Sequence, residues 1–173
     1  MRKEELQGGD EMRKYEITDI QHPGDARLHR IKALIDILRW GVKAGDLGGY
    51  IQSENNLSQD GNGWVSGNGR VTDNGRVIDN GKVTGNGRVA GYGRVFGDAM
   101  IKKPTDILTI SSLGSRNATL TVLYNKTCAT GCFQGTIDEF LAAVKKTHGN
   151  NEYAKLYYKA INFAYEYFDW ERV

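Results

Sequence analysis

The sequence predicts a mainly β protein organised on a short parallel β-helix, a hexapeptide solenoid, with a small C-terminal α+β cap made of a β-hairpin and two helices. Three observations lead there. An aliphatic residue returns at every sixth position, Val65, Val71, Val77, Val83, Val89, Val95 and Ile101, and self-similarity at a fixed short period marks a repeat architecture. A small residue stands two positions before each of the last six: Gly69, Gly75, Gly81, Gly87, Gly93 and Ala99. The residue directly before each aliphatic position is long and mostly basic: Trp64, Arg70, Arg76, Lys82, Arg88, Arg94 and Met100.

At strand period the aliphatic residue and the small one point inward, the small one at a corner, while the long residue between them alternates outward. The Gly, Asp, Asn and Tyr positions of each unit supply the turn, since Asn and Gly tolerate left-handed backbone. Asn-Gly between valines is also a hairpin signal. Hairpins there leave strands of only about two to four residues, shorter than usual, and do not account for the constant period, so a hairpin meander ranks behind the solenoid. The pattern resembles the hexapeptide-repeat family, whose fold is a left-handed parallel β-helix with three hexapeptides in each triangular turn. The chain departs from that family in placing Gly at the inner corner. Proteins of that fold commonly trimerise along their flat sides, so the resemblance implies a homo-oligomer, a trimer ahead of a dimer.

The chain divides into residues 1–42, N-terminal strands; 43–103, the hexapeptide stretch with an irregular first turn; and 104–173, a ββαα module. Residues 1–13 are charged and lack hydrophobic periodicity, as in a frayed or tag-like end. Tyr15, Ile17 and Ile20 suggest a first strand, Pro23-Gly24 a turn, and Arg27 to Ile37 a second strand running into Ile31, Leu34, Ile35, Ile37 and Leu38, with a helical end as an equal alternative. Leu47, Ile51 and Leu57 punctuate a glycine-rich approach to Val65, read as a capping turn. After Ile101, Lys102, Lys103 and Pro104 stop the repeat, because proline donates nothing to a ladder. Ile107–Ser111 and Thr119–Tyr124 alternate as two strands about the Leu113-to-Asn117 connection, and residues 131–135 break the chain. Thr136 and Glu139 form a capping box that opens one helix. A last helix, Asn151 to Phe168, has apolar residues all round, and Tyr158, Phe163 and Tyr167 on its second side are expected at a subunit interface.

Net charge is only +2, yet residues 64–103 carry 7 basic and 3 acidic groups. No apolar run reaches the ~18 residues of a membrane span, and no signal-peptide core opens the chain, so a cytoplasmic protein of a bacterial host cell is expected. Cys128 and Cys132 have no second cysteine pair to complete a zinc set, and two idle thiols are expected, with no metal and no cofactor. None of the three histidines lies in the repeats, where acyltransferases and carbonic anhydrases of this fold carry theirs. No catalytic residues are nominated, because Gly-x-Ser-x-Gly and phosphate-loop motifs are also missing.

The run KAGDLGGYIQSENNLSQDGNGWV, the hexapeptides after it, and the GSRNATLTVLY and GCFQGTIDEF segments resemble a phage- and prophage-encoded hexapeptide-repeat family of unestablished function. The resemblance covers the chain from about Leu28 onward and implies a phage context, but no activity or site residue is carried over from it. Binding is therefore the expectation. With three hexapeptides to a turn, Arg70 stacks with Arg88 and Arg76 with Arg94, and each pair of forks suits a phosphate or carboxylate. Asp73, Asp79 and Asp98 are the local groups available to neutralise them. Ser115, Arg116 and Asn117 on a tight turn form a second candidate site. The function expected is a non-enzymatic inhibitor that blocks or sequesters a host component, either a defence protein or an anionic signalling nucleotide; nucleic acid and membrane are not favoured as partners. A phage assembly spacer is the alternative, and an acyltransferase-like enzyme ranks last.

Overall fold

The computed structural model describes residues 12–171; most of the expected frayed end, residues 1–11, lies outside them. Strands β1 (Tyr15–His22) and β2 (Asp25–Ala33) form an antiparallel hairpin about Pro23-Gly24, with Tyr15 opposite Ala33 and Ile17 opposite Ile31. β3 (Leu47–Ile51) pairs antiparallel with β2. The second strand stops at Ala33 rather than Ile37. Ile37 and Val42 exchange backbone hydrogen bonds of 2.9 and 3.2 Å around a helical turn at Leu38–Trp40, which buries Ile37 and leaves Leu34 and Leu38 exposed. Lys14, also buried, donates from Nζ to the carbonyls of Asp60, Gly61 and Gly63 at 3.3, 3.4 and 2.9 Å, and its burial presses its pKa down to about 8.

The hexapeptides contribute strands of two residues each: β4 (Trp64–Val65), β5 (Arg70–Val71), β6 (Arg76–Val77), β7 (Lys82–Val83), β8 (Arg88–Val89), β9 (Arg94–Val95) and β10 (Met100–Ile101). Each pairs in parallel with its counterpart three hexapeptides away, as in Arg70 with Arg88 and Arg76 with Arg94. The bonds are regular: Arg70 N–H donates to Gly87 at 3.0 Å, Thr72 N–H to Val89 at 2.9 Å. All six valines and Ile101 are buried in one core with Tyr15, Ile31, Ile51 and Leu57.

The left-handed parallel β-helix expected from the six-residue period is not the fold. The chain forms several small sheets, some mixed or parallel and some antiparallel, and none closes or runs on as a solenoid. The hexapeptide strands fall into ladders β4-β7-β10, β6-β9 and β5-β8, the last continuing into the antiparallel β1-β2-β3 sheet. The physical reason lies at the third position of each unit, where Gly67, Asp73, Asp79, Gly85, Gly91 and Gly97 have φ between 54° and 58°. That left-handed residue ends the extended run, so pairing stops after two residues. Trp64, expected to face solvent, is 1% exposed and packs in the same core as Ile37 and Val42. The N-terminal segment covers the side of the ladder on which it stands.

Both ends of the hexapeptide stretch carry the same device. A short helical turn, Glu54–Asn56 before it and Pro104–Asp106 after it, buries its third side chain. Asn56 Oδ1 accepts from Gln52 and Ser53 amides at 3.0 and 2.8 Å, and its Nδ2 donates to the Asp73 and Gly75 carbonyls. Asp106 Oδ2 accepts from Lys102 and Lys103 amides at 2.8 and 3.1 Å. Backbone groups freed where the ladders stop are satisfied in this way.

The C-terminal part is richer than the expected β-hairpin and two helices. β11 (Ile107–Leu113), β12 (Ala118–Leu123), β13 (Thr127–Thr130) and β14 (Phe133–Thr136) form one antiparallel sheet in chain order. The expected break at 131–135 is a two-residue hairpin, Gly131-Cys132, with φ +51° at Gly131, as a tight hairpin turn demands. Helix α1 (Ile137–His148) opens on the expected capping box: Glu139 N–H donates to Thr136 Oγ1 at 3.2 Å and Thr136 N–H to Glu139 Oε2 at 2.8 Å. α2 (Glu152–Tyr167) starts at Asn151, whose Oδ1 accepts from the Ala154 amide at 3.0 Å. Ile137, Phe140, Val144, Tyr157 and Ile161 form a second core with Leu120 and Val122.

Val83 is fully buried in the first core and its backbone belongs to both neighbouring pairings of the three-stranded ladder. Val83→Asp is expected to cost about 3 kcal/mol or more, since an unpaired charge replaces a packed side chain. In thermal unfolding this lowers Tm by roughly 6–12 °C. A variant melting within a degree or two of wild type contradicts the register.

Candidate functional site

The C-terminal sheet docks on the hexapeptide stretch through a few specific contacts. Arg94 N–H donates to Thr121 Oγ1 at 3.2 Å, Gln134 Nε2 to Asp79 Oδ2 at 3.0 Å, and Arg94 Nη2 to the Gly131 carbonyl at 2.7 Å. Leu123 and Ala129 of the sheet enter the core of the valines. At Gly93 a Cβ would meet Thr109 and Ile107 side chains at 3.2 and 3.3 Å, so β11 comes close against the repeat there.

Two pockets lie at this end of the sheet, one on each face. The pocket on the hexapeptide face, about 530 Å³, is lined by Asn74, Arg76, Tyr92, Arg94, Asn117, Ala118, Thr119 and Gly131. The pocket on the helix face, about 230 Å³, contains Arg116, Cys132, Phe133, Phe140, His148 and Tyr157, and the two have the edge residues Ala118 and Gly131 in common. Arg76 and Arg94 are neighbours in register. Arg116 Nη1 lies 3.5 Å from where a Cβ would stand on Gly131, the residue whose carbonyl Arg94 engages. Among the described residues no Asp or Glu lines either pocket. Burial first, and the Arg76 charge second, press the Arg94 guanidinium below its usual pKa.

The two sites nominated from sequence meet only at Asn117. It lines the pocket of Arg76 and Arg94, whereas Ser115 and Arg116, in the same turn between β11 and β12, line the pocket on the helix face. That turn is seated by α2: Gly114, at φ +73°, lies so close to the Tyr157 hydroxyl that no side chain fits there. Arg70 and Arg88 stand elsewhere, in the ladder with Tyr50. Arg70 is half-buried with an unpartnered Nε, and Arg88 is exposed. The aspartates do not neutralise the arginines as expected: Asp73 faces Arg27 at 3.7 Å, Asp98 pairs with Arg39 at 2.6 Å, and Asp79 accepts from Gln134. Among the described residues none of the ion pairs involves Arg70, Arg76, Arg88, Arg94 or Arg116. Of the residues expected at a subunit interface, Phe163 and Tyr167 are exposed with ring centroids 6.2 Å apart, whereas Tyr158 is half-buried against the second core.

Sequence reasoning left Cys132 among the idle thiols. Cys128 is buried, and burial pushes its thiol up to about 12. Cys132 is exposed, at the tip of the β13–β14 hairpin, and takes a hydrogen bond of 3.4 Å from Arg116 Nη1. That bond and the guanidinium charge lower its thiol pKa. A Gly-Cys pair at a hairpin turn opposite an arginine-bearing turn was the available signal, and it required knowing that the two turns meet. No group of three or more metal-ligating side chains is found among the described residues, and no helix among them is long and apolar enough to cross a membrane.

Comparison with protein-family models, with curated proteins and with solved structures found no match to this chain.

The arrangement makes a titration prediction. Lowering of the Cys132 pKa favours its thiolate, so alkylation by iodoacetamide is expected to rise with a midpoint below the ~8.5 of a free thiol, while Cys128 stays unreactive in the folded protein. Arg116→Gln moves the Cys132 midpoint upward. Equal midpoints in wild type and variant contradict the contact.

Proposed function

We propose that the protein is a non-enzymatic binding protein that takes an anionic group into the pocket at Arg76 and Arg94, and so blocks or sequesters a host component. The observation that carries this reading is the pocket's lining: two arginines that are neighbours in register, with amide and hydroxyl side chains of Asn74, Asn117 and Thr119, and no carboxylate among the described residues. Paired guanidinium forks donate parallel hydrogen bonds to phosphate or carboxylate oxygens, and an anion relieves the repulsion between them. The phage setting rests on the motif resemblance alone. Rigid binding without turnover fits a pocket framed by a hexapeptide stretch with a fully buried core on one side and a four-stranded sheet on the other.

A second reading, an assembly module, is favoured by one specific observation. Tyr153, Leu156, Phe163 and Tyr167 leave an apolar stripe exposed along α2. The six-residue repeats no longer give a reason to prefer a trimer, since flat-sided triangular stacking is not the fold.

Titration with inorganic tripolyphosphate tests the first reading. Arg76→Gln with Arg94→Gln is expected to weaken binding by more than about 2 kcal/mol, roughly 30-fold, with Tm lowered by a few degrees at most, since loss of the Arg94 bond to the Gly131 carbonyl is partly offset by removal of like charges. Arg70→Gln with Arg88→Gln, outside the pocket, leaves binding unchanged. Binding that survives the first pair undiminished overturns the anion site; an oligomer that persists in that variant then favours the assembly module.

A further inference from the structure

We infer that the pocket on the helix face is a second binding site, for a small carboxylate on an apolar body, with the carboxylate on Arg116 and the body against Phe133, Phe140 and Val144. It lies across the sheet from Arg76 and Arg94 and does not rest on the anion reading there. Alternation along β13 decides which side chains face it. Cys128 packs in the second core and Ala129 in the first, so Thr130 returns to the helix face, where it lines this pocket. Thr130 is 9% exposed, and its Oγ1 is one of two buried side-chain polar atoms with no hydrogen-bond partner among the described residues. A buried hydroxyl left unpaired is unfavourable, and a ligand oxygen supplies the partner that the protein lacks.

Arg116 supplies the charge. Its Nη1 donates to Cys132 Sγ at 3.4 Å and lies 3.5 Å from where a Cβ would stand on Gly131. Those are the residues that follow Thr130, so guanidinium and hydroxyl stand at one end of the pocket. Among the described residues no ion pair involves Arg116, and the planar fork of a guanidinium matches the two oxygens of a carboxylate. One guanidinium answers one negative charge. A phosphate monoester carries ~1.5–2, which suits the paired arginines of the other face instead. The remaining wall is apolar: Phe133 and Phe140 ring centroids are 5.3 Å apart, Phe140 and Tyr157 also 5.3 Å, and Val144 stands beside them. Phe133 is half-buried and keeps ring surface open to a ligand. At about 230 Å³ the pocket is smaller than the ~300–1,000 Å³ of drug-sized sites, so the body it takes is a single ring or a short aliphatic chain.

Calorimetry tests this with benzoate, phenylpropionate and hexanoate. Each is compared with its alcohol, which keeps the body and loses the charge, and with acetate, which keeps the charge and loses the body. At least one acid is expected to bind about tenfold or more tighter than both its alcohol and acetate. Thr130→Val keeps the branched shape and removes the hydroxyl. It is expected to weaken that acid about threefold or more, with Tm unchanged or slightly raised because an unpaired buried group is gone; unchanged affinity overturns the role of the hydroxyl. In the unaltered protein the saturating acid slows alkylation of Cys132 by about threefold or more, as the carboxylate competes for Arg116, a readout that needs no variant to fold. Arg76→Gln with Arg94→Gln leaves acid binding within about twofold, so the two sites stand or fall separately. Acids that bind no tighter than their alcohols, or Cys132 reacting at its free rate under saturating acid, overturn the inference and leave the anion site of the other face untouched.

Discussion

At Gly69, Gly81 and Gly87, the fifth position of three units, the chain lies so close to the hexapeptide three units on that no side chain fits. A Cβ at Gly69 would sit 2.8 Å from the Val83 carbonyl, and one at Gly81 the same distance from the Val95 carbonyl. Real side chains do not tolerate such approaches, so glycine at that position is what permits the parallel bonds from Arg70 and Lys82 amides and the burial of the valines beside them. Glycine there is costly in conformational entropy, and the cost is offset by a run of seven buried aliphatic residues and by the polar plugs Asn56 and Asp106 at either end. Everything that matters for function follows from this close pairing, because it sets Arg76 directly beside Arg94 and gives the C-terminal sheet a firm surface to dock on.

That docking turns a row of surface arginines into a pocket. The Arg76 and Arg94 side meets β12 and the β13–β14 hairpin; the Arg70 and Arg88 side continues instead into the N-terminal sheet beside Tyr50. Two chemically similar pairs thus acquire different surroundings. One lines a pocket with Asn74, Asn117 and Thr119, while the other keeps Arg30 stacked 4.8 Å over the Tyr50 ring as its neighbour. The asymmetry arises from tertiary contacts, not from the repeat.

The sequence period made the burial of Val65 to Ile101 and the pairing of every third hexapeptide legible, because a six-residue recurrence survives whatever the repeats pack against. Both C-terminal helices were legible too, through the Thr136–Glu139 box and the spacing of Tyr157, Ala160, Ile161 and Ala164. Three things were not. The brevity of the strands is set by left-handed backbone at Asp73 and Asp79, residues that read as turn formers without revealing which position turns. The hairpin of β13 and β14 hides in TCATGCFQGT, where small residues blur the alternation that marks a strand. The burial of Trp64 and the meeting of Arg94, Arg116 and Cys132 at Gly131 depend on contacts between distant segments, which no local pattern encodes.

Residue-resolved amide hydrogen exchange on the full chain measures this parallel pairing most directly. Amides of Arg70, Thr72, Arg76, Ile78, Lys82 and Thr84, bonded in turn to the carbonyls of Gly87, Val89, Gly93, Val95, Ala99 and Ile101, are expected to be protected together and to open near the global unfolding free energy. Amides at the left-handed third positions Gly67, Asp79 and Gly85 exchange far faster, whereas that of Asp73 is bonded to Gln52. Protection confined to the Asn-Gly segments, with free exchange at Arg70, Arg76 and Lys82, contradicts the pairing and with it the placement of the arginine pocket.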